Sequence, residues 1–294
     1  MNQFTIRDIE NLCGIKAHTL RIWEQRYNMF IPRRKASKHR IYDDHDLKEL
    51  LRISFLYHSG YKVSKIAALG ADEIKRLVEC SCIKHSSNEA IIQRLLAASV
   101  EFDTDSFEQI INTQVLQLGL LRCMIEILNP FLHRIGLLWM TNHVIPAQEH
   151  FASHLISKKI ICAIDELGPI TDGKHTVLIF APAGEYHEIP LLMANYIFRK
   201  NNIQTIYFGT NVTTDTVINY CQCKPVTHIY AHVITSLDNC MLEKEICLLC
   251  KKLPSKEFIL SGSAGKCVSQ KPINLHTIDS IEELISVSKE MTVK

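Results

Sequence analysis

The 294-residue sequence predicts a multidomain protein of α and α/β class, with an N-terminal winged helix-turn-helix, a central four-helix bundle and a C-terminal Rossmann/flavodoxin-like parallel sheet. Three observations predict it. A basic, helix-patterned start is broken by a single glycine and followed by a short strand-like stretch. A long middle segment keeps helical periodicity with few breakers. Beyond residue 175, short apolar runs alternate with helical ones. The expected domains are 1–80, 84–168 and 173–290.

The chain is longer than one ordinary core, so two or three domains are expected. With 47% hydrophobic and 22% charged residues it has a globular composition. Apolar runs such as "LGLL" and "VLIFAPAG" are too short to cross a bilayer, and "MNQFTIRDIENL" lacks the pattern of a secretory signal; a cytoplasmic protein without a membrane partner is expected. Eleven cysteines, an odd number, lie in apolar segments rather than at disulfide-framework spacing, which reads as free buried thiols. Cys247 and Cys250 have C-x-x-C spacing but fall on an amphipathic helix pattern. With no second Cys/His pair at a suitable distance, a structural zinc site is not expected.

In the first segment, "FTIRDIENLCGIKAHTLRIWEQRY", Ile6, Ile9 and Leu12 repeat at helical spacing, and Gly14 supplies a tight turn. Leu20 and Trp23 continue the apolar stripe on a second helix over about 17–28. A helix-turn-helix places such a second helix in the DNA major groove. Its exposed side is expected to carry Lys16, His18, Thr19, Arg21, Glu24 and Arg26. On one helix alone this would be an ordinary solvated face. The following "IPRRKASKHRIYDDHDL" adds Arg33, Arg34, Lys38 and Arg40 beside a strand-like "HRIY", the composition of a wing that grips phosphates. Residues 1–42 hold nine Lys/Arg against three Asp/Glu, a net of +6, whereas 81–168 hold six against nine. The basic end is where a polyanion would bind.

The ordered set Thr19-Leu20-Arg21-x-Trp23-Glu24, Pro32-x-Arg34, Arg40-x-Tyr42 and Asp46-Leu47 resembles the MerR family of winged-helix transcription regulators. The resemblance implies that Arg21 and Arg40 hold DNA backbone and that Tyr42 supports the wing. It leaves Lys16, His18 and Thr19 as candidates for groove contacts.

The middle segment offers four apolar-striped helices: "NEAIIQRLLAASVEFD", "TDSFEQIINTQVLQLGL", "LRCMIEILNPFLHRIGLLWM" and "IPAQEHFASHLISKKIICAIDEL". MerR metal sensors have instead one long dimerising helix and a cysteine-bearing loop, so a mercury- or copper-type sensor is not expected. Trp139 is followed after nine residues by Glu149-His150. Taken alone, this is a core aromatic and two helix residues after a Pro146 helix start.

In the last segment, "HTVLIFAPA", "IQTIYFGTN", "THIYAHVITS" and "EFILSGSAG" read as strands, with helices near 188–201, 213–223 and 240–252. That alternation predicts a parallel sheet with crossover helices. Ligands of such sheets sit at the carboxyl ends of the strands, where "EYHEIP" places Glu185 and His187.

The stretch "APAGEYHEIPLLMANYIFRKNNIQTIYFGTNV" resembles the cobalamin-binding domain of corrinoid enzymes and of light-sensing MerR regulators of the CarH/LitR type. There the pattern is Asp/Glu-x-His-x-x-Gly, and the histidine replaces the cofactor's own base as lower cobalt ligand. The resemblance makes His187 the metal ligand and Glu185 the carboxylate that fixes its tautomer. It also implies that Trp139, Glu149 and His150 line the upper face of the corrin.

Two departures stand out. Pro190 occupies the motif's glycine position, and Asn202 stands at a turn where the family uses glycine. The family's glycine pair at the fourth strand end, near the nucleotide tail, reads Ser261-Gly262, and a hydroxyl expected after the third strand comes from Thr235 or Ser236. The expected function is a sequence-specific DNA-binding transcription regulator, not an enzyme. It acts on double-stranded operator DNA as a dimer or tetramer and is controlled by cobalamin. The alternative is the same regulator with a degenerate cobalamin fold answering a protein antagonist or another ligand. More remote are a corrinoid carrier in methyl transfer, which leaves the basic winged helix unexplained, and a cysteine-based redox regulator.

Overall fold

The computed structural model describes residues 4–27, 29, 33–34, 40–58, 60–81, 88–140, 145–170, 173–234, 239–262 and 271–293. It divides into two compact units, Met1–Leu155 and Ile156–Lys294. Among the described residues no helix is long and apolar enough to cross a membrane.

The first unit opens with α1 (Ile6–Cys13) and α2 (Ala17–Tyr27), joined through Gly14 at φ 66°. This is the left-handed turn for which glycine was read. Ile9, Leu20 and Trp23 are buried, as their spacing predicts. Strands β1 (Arg33–Arg34) and β2 (Arg40–Ile41) pair antiparallel, with Arg33 opposite Ile41. Phe4 and Tyr42 exchange both backbone hydrogen bonds, at 2.8 and 2.9 Å, which sews the N-terminal end of the chain to the strand. Helix α3 (Asp44–His58) begins with reciprocal caps. Asp43 Oδ1 accepts from the Asp46 N–H at 3.0 Å, and Asp46 Oδ2 accepts from the Asp43 N–H at 2.9 Å. Helices α4 (Val63–Ile66) and α5 (Ala71–Ser81) follow.

The expected bundle consists of α6 (Asn88–Glu101), α7 (Thr104–Leu118), a composite third member and α10 (Pro146–Asp165). The third member is α8 (Leu120–Cys123), a π-helical turn over Met124–Leu128 and α9 (Asn129–Met140). Its periodicity read as one helix; the π turn inserts a residue without breaking the apolar stripe. Helix α6 lies against α3, α7 and α9. Phe107 and Phe131 meet edge-to-face in the bundle core, with ring centroids 5.7 Å apart.

In the second unit β3 (Thr176–Pro182), β4 (Gln204–Val212), β5 (His228–Val233), β6 (Glu257–Gly262) and β7 (Leu275–Ile278) form an all-parallel sheet in the order β4-β3-β5-β6-β7. Helices α11 (Ile189–Lys200), α12 (Thr214–Cys223) and α13 (Asn239–Lys252) connect the strands, and α14 (Ile281–Val293) closes the chain. Strand β7 and helix α14 were not read from the sequence, because a four-residue strand gives too little alternation to register. Leu178, Phe180, Ile229, Val233, Leu249 and Leu260 are among the core residues beneath α12 and α13. Asn202 adopts φ 57°, the left-handed conformation a glycine would supply at that turn, so the departure there costs the fold little.

Candidate functional site

Two surfaces answer the sequence expectations, one in each unit. On α2, Lys16, His18, Arg21 and Arg26 are exposed and Thr19 is half-buried. Glu10 organises the start of this helix. Its carboxylate accepts the Ala17 N–H at 3.1 Å and pairs with Lys16 Nζ at 3.1 Å, and those contacts hold its pKa below the usual carboxylate range. Arg26 lies over the Tyr27 ring at 5.4 Å from its centroid.

Glu24 was expected on the exposed face, and here the structure corrects the sequence. The Glu24 carboxylate accepts from Arg40 Nε at 2.6 Å, so it is turned toward the wing and half-buried. That hydrogen bond raises the Arg40 pKa above its ordinary value. Arg40 therefore joins wing to helix, leaving it less free than Arg21 to pursue a phosphate. Tyr42 is 1% exposed, consistent with wing support rather than a groove contact. Burial pushes its hydroxyl up to about 12, and the hydroxyl has no hydrogen-bond partner among the described residues. Arg33 and Arg34 are placed only by their strand; Lys38 lies outside the described residues.

In the second unit the strand order reverses at β3, whose neighbours are β4 and β5, and a ligand crevice is expected at that switch point. The loop after β3 places Glu185 there, buried at 2% exposure. Its Oε1 accepts from the His187 N–H at 3.0 Å and from His187 Nδ1 at 2.6 Å, and its Oε2 accepts from the Ile234 N–H, beyond β5, at 2.7 Å. Asn211, at the end of β4, clamps the same loop: its side-chain oxygen accepts the Gly184 N–H at 3.0 Å and its own N–H reaches the Glu185 carbonyl at 3.1 Å. The ends of β4 and β5 thus both fasten the loop that carries Glu185 beyond β3.

The consequence for His187 is chemical. With the Nδ1 proton committed to the carboxylate, the lone pair lies on Nε2, on a side chain 49% exposed. An imidazole oriented by a buried carboxylate, with its second ring nitrogen exposed, suits a borderline transition metal such as cobalt, so this end of the site fits the expected group. Pro190 sits in the first turn of α11, where a missing N–H costs nothing. The helix starts as the glycine version would.

The inner end differs. Ser261 is buried, and its hydroxyl shares hydrogen bonds with the Tyr230 hydroxyl at 2.6 Å and with His232 Nδ1 at 2.5 Å. Burial pushes the His232 pKa down to about 4, so the ring is neutral at ordinary pH. Gly262 adopts φ 87°, and a Cβ there would collide with the Val233 carbonyl oxygen. Its bareness is demanded by the neighbouring strand, whatever else the site holds. Thr235 and Ser236 lie outside the described residues.

In the bundle, Glu149 and His150 stand in the first turns of α10. The Glu149 carboxylate accepts from the Ser153 hydroxyl at 2.5 Å and lies 3.5 Å from His150 Nδ1. Trp139 belongs to α9, and its side chain lies outside the described residues. Sequence reasoning missed Asn211, Tyr230 and His232. An asparagine straight after a strand-like run is a turn signal that would have found the first. The other two carry no local signal, since they meet Ser261 only across adjacent strands.

Comparison with known proteins gives this arrangement its setting. Residues 4–72 match the family model of the MerR HTH family regulatory protein, and residues 91–162 match that of the B12 binding domain. The HTH-type transcriptional repressor CarH of Myxococcus xanthus is 25% identical over 218 residues, 72% of this chain and 72% of that protein. The repressor CarA of the same organism is 23% identical over 223 residues, 75% of this chain and 73% of that protein. The solved monomethylamine corrinoid protein of Methanosarcina barkeri superposes with a TM-score of 0.57 at 15% identity, covering 69% of this chain and 99% of that one, a likeness of fold. The chain thus carries a MerR-type helix-turn-helix domain and a B12 binding domain, the pairing of a DNA-binding transcription regulator.

Proposed function

We propose that this regulator binds operator DNA as a symmetric dimer or tetramer, and that its B12 binding domain takes up a cobalamin held by His187 Nε2 and thereby sets the oligomeric state. The observation that carries the proposal is the 2.6 Å contact between His187 Nδ1 and Glu185 Oε1 at the switch point of the sheet. It fixes the ring in the tautomer a metal needs. When bound, the corrin would supply a cobalt centre that accepts an imidazole nitrogen as ligand. Glu185, Asn211 and the Ile234 N–H would hold that imidazole in place, and Trp139, Glu149 and His150 of the bundle are assigned to the cobalamin by their sequence pattern alone. On the DNA side, Lys16, His18, Thr19, Arg21 and Arg26 face the groove and Arg33, Arg34 and Lys38 line the wing. The names of the two repressor relatives support repression as the regulatory sign.

A second reading has its own observation. Pro190 replaces the motif's glycine, and the Ser261 hydroxyl is already taken up by Tyr230 and His232. Both suit a domain that keeps the fold and answers another ligand or a protein antagonist. Titration of the purified protein in the dark with adenosylcobalamin and with hydroxocobalamin, followed by gel filtration and absorption spectra, separates the two. Coelution of the corrin with wild type but much less with His187→Ala supports the first reading. No coelution at micromolar protein sinks it and leaves the second.

A further inference from the structure

We infer that a corrinoid seated on His187 keeps its nucleotide tail outside the α/β unit, because the layer into which a tail would have to pass is filled by Tyr230, His232 and Ser261. The inference rests on the cobalamin reading above and narrows the ligand to a class, corrinoids held through the ring and the metal alone, with or without a nucleotide.

The need for such a place follows from coordination chemistry. A corrin leaves cobalt one position on the side that meets His187, and in free cobalamin the cofactor's own benzimidazole holds it. His187 Nε2 takes that position only when the base leaves. The base departs with its ribose and phosphate still tethered to the ring, so the displaced tail is either buried in the domain or left outside it.

The side chains of β5 alternate between two layers. Ile229, Ala231 and Val233 join the core beneath α12 and α13, so Tyr230 and His232 face the opposite layer, between the sheet and α11. On β6, Leu260 belongs to the first layer and Ser261 to the second. Tyr230 is 2% exposed, and its ring meets Phe198 of α11 edge-to-face with centroids 5.8 Å apart. The Tyr230 hydroxyl and His232 Nδ1 both close on the Ser261 hydroxyl. His232, the half-buried outermost member, lies near enough to Glu185 and His187 to feel both charges. A file of side chains thus leads from His187 at the crevice to Phe198 in the interior.

The far side of this layer is shut as well. Helix α11 lies against α14, and Asn201 Nδ2 donates to the wholly buried Ser288 hydroxyl at 2.6 Å. The bare position at Gly262 opens no channel, since its missing Cβ makes room only for the Val233 backbone. A close-packed interior of this kind admits no further ring. Displacing Tyr230 to make space would break its hydrogen bond to Ser261 and give up its buried aromatic contact.

The test compares hydroxocobalamin with diaquacobinamide, the same corrin without nucleotide or base, in dark absorption titrations of the full chain, with His187→Ala run beside wild type. Diaquacobinamide gives up no tail contact and has no base to displace, so it is expected to bind wild type at least as tightly as hydroxocobalamin does. His187→Ala is expected to weaken both by more than about tenfold, the least that losing even a ligand's supporting group costs a metal site. Tighter binding of hydroxocobalamin than of diaquacobinamide overturns the inference while leaving the cobalamin reading intact. Diaquacobinamide binding that survives His187→Ala lies on another group of the chain and overturns the inference too. A wild-type chain that binds neither corrinoid overturns the cobalamin reading itself, and this inference with it.

Discussion

Glu185 and His187 are joined twice through one oxygen. Glu185 Oε1 accepts both the backbone N–H of His187 and its ring Nδ1, while Oε2 reaches across to the Ile234 N–H. The carboxylate is a structural hub as well as a partner to the imidazole, and its removal is felt in the unliganded protein. Glu185→Ala removes the carboxylate that accepts from the Ile234 and His187 N–H groups and is expected to lower unfolding stability by about 1–3 kcal/mol. Urea denaturation of the ligand-free protein measures it; an unchanged midpoint would show that the loop does not depend on this group.

Asn211 combines a left-handed backbone, φ 58°, with a side chain that accepts the Gly184 N–H. Asn211→Gly loses only the side-chain acceptor, whereas Asn211→Ala also meets the left-handed penalty. The alanine variant is expected to be less stable than the glycine variant by about 1 kcal/mol. Paired urea melts decide it, and the reverse order would show that the conformation is not under strain.

Gly262→Ala is expected to be severe. Its φ of 87° alone carries a strain of about 1–3 kcal/mol for a non-glycine residue. The added Cβ also meets the backbone of Val233, which has no flexible end to move aside. Soluble yield and melting temperature of the variant check this; near wild-type values for both would refute the close approach of β5 and β6.

On the DNA side, Arg21 and Arg40 are expected to behave differently. Arg21→Ala removes an exposed cation and is expected to reduce the slope of log affinity against log salt by about one. Arg40→Ala removes a cation already paired with Glu24, so its larger effect falls on the melting temperature of the ligand-free protein. Fluorescence anisotropy over a salt series, with thermal melts, distinguishes the two; equal slope changes would place Arg40 on a phosphate.

His228 links stability to pH. Burial, with His175 and His276 opposing Glu257, pushes its pKa down to about 4 from 6.5. Between those values the unfolded chain binds the proton more readily than the folded one. This contribution is therefore complete above about pH 6.5 and declines as pH falls toward 4. The urea midpoint of wild type is expected to drop across that window, and His228→Asn to flatten the drop. Identical pH profiles for the two proteins would count against it.

What the sequence disclosed follows from how local each signal is. Leu20 and Trp23 declared the second helix by spacing, and Gly14 declared the turn before it. Glu185 and His187 were legible because a two-residue spacing in a loop suffices to bring their side chains together. The Glu24–Arg40 pair was not, since sixteen residues and a wing separate the partners. Tyr230, His232 and Ser261 meet only when β5 and β6 fall into register, and a sequence does not announce register.

The ion pair between Glu24 and Arg40 makes helix α2 and strand β2 a single stiff reading head. A signal arriving from elsewhere in the molecule then has little to adjust within the head. In the oligomeric regulator proposed above, what remains to be varied is the number of heads a particle presents and the distance between them. Control of this kind works by counting and spacing, so an operator with altered half-site separation should respond to the signal differently even when every base in each half-site is kept.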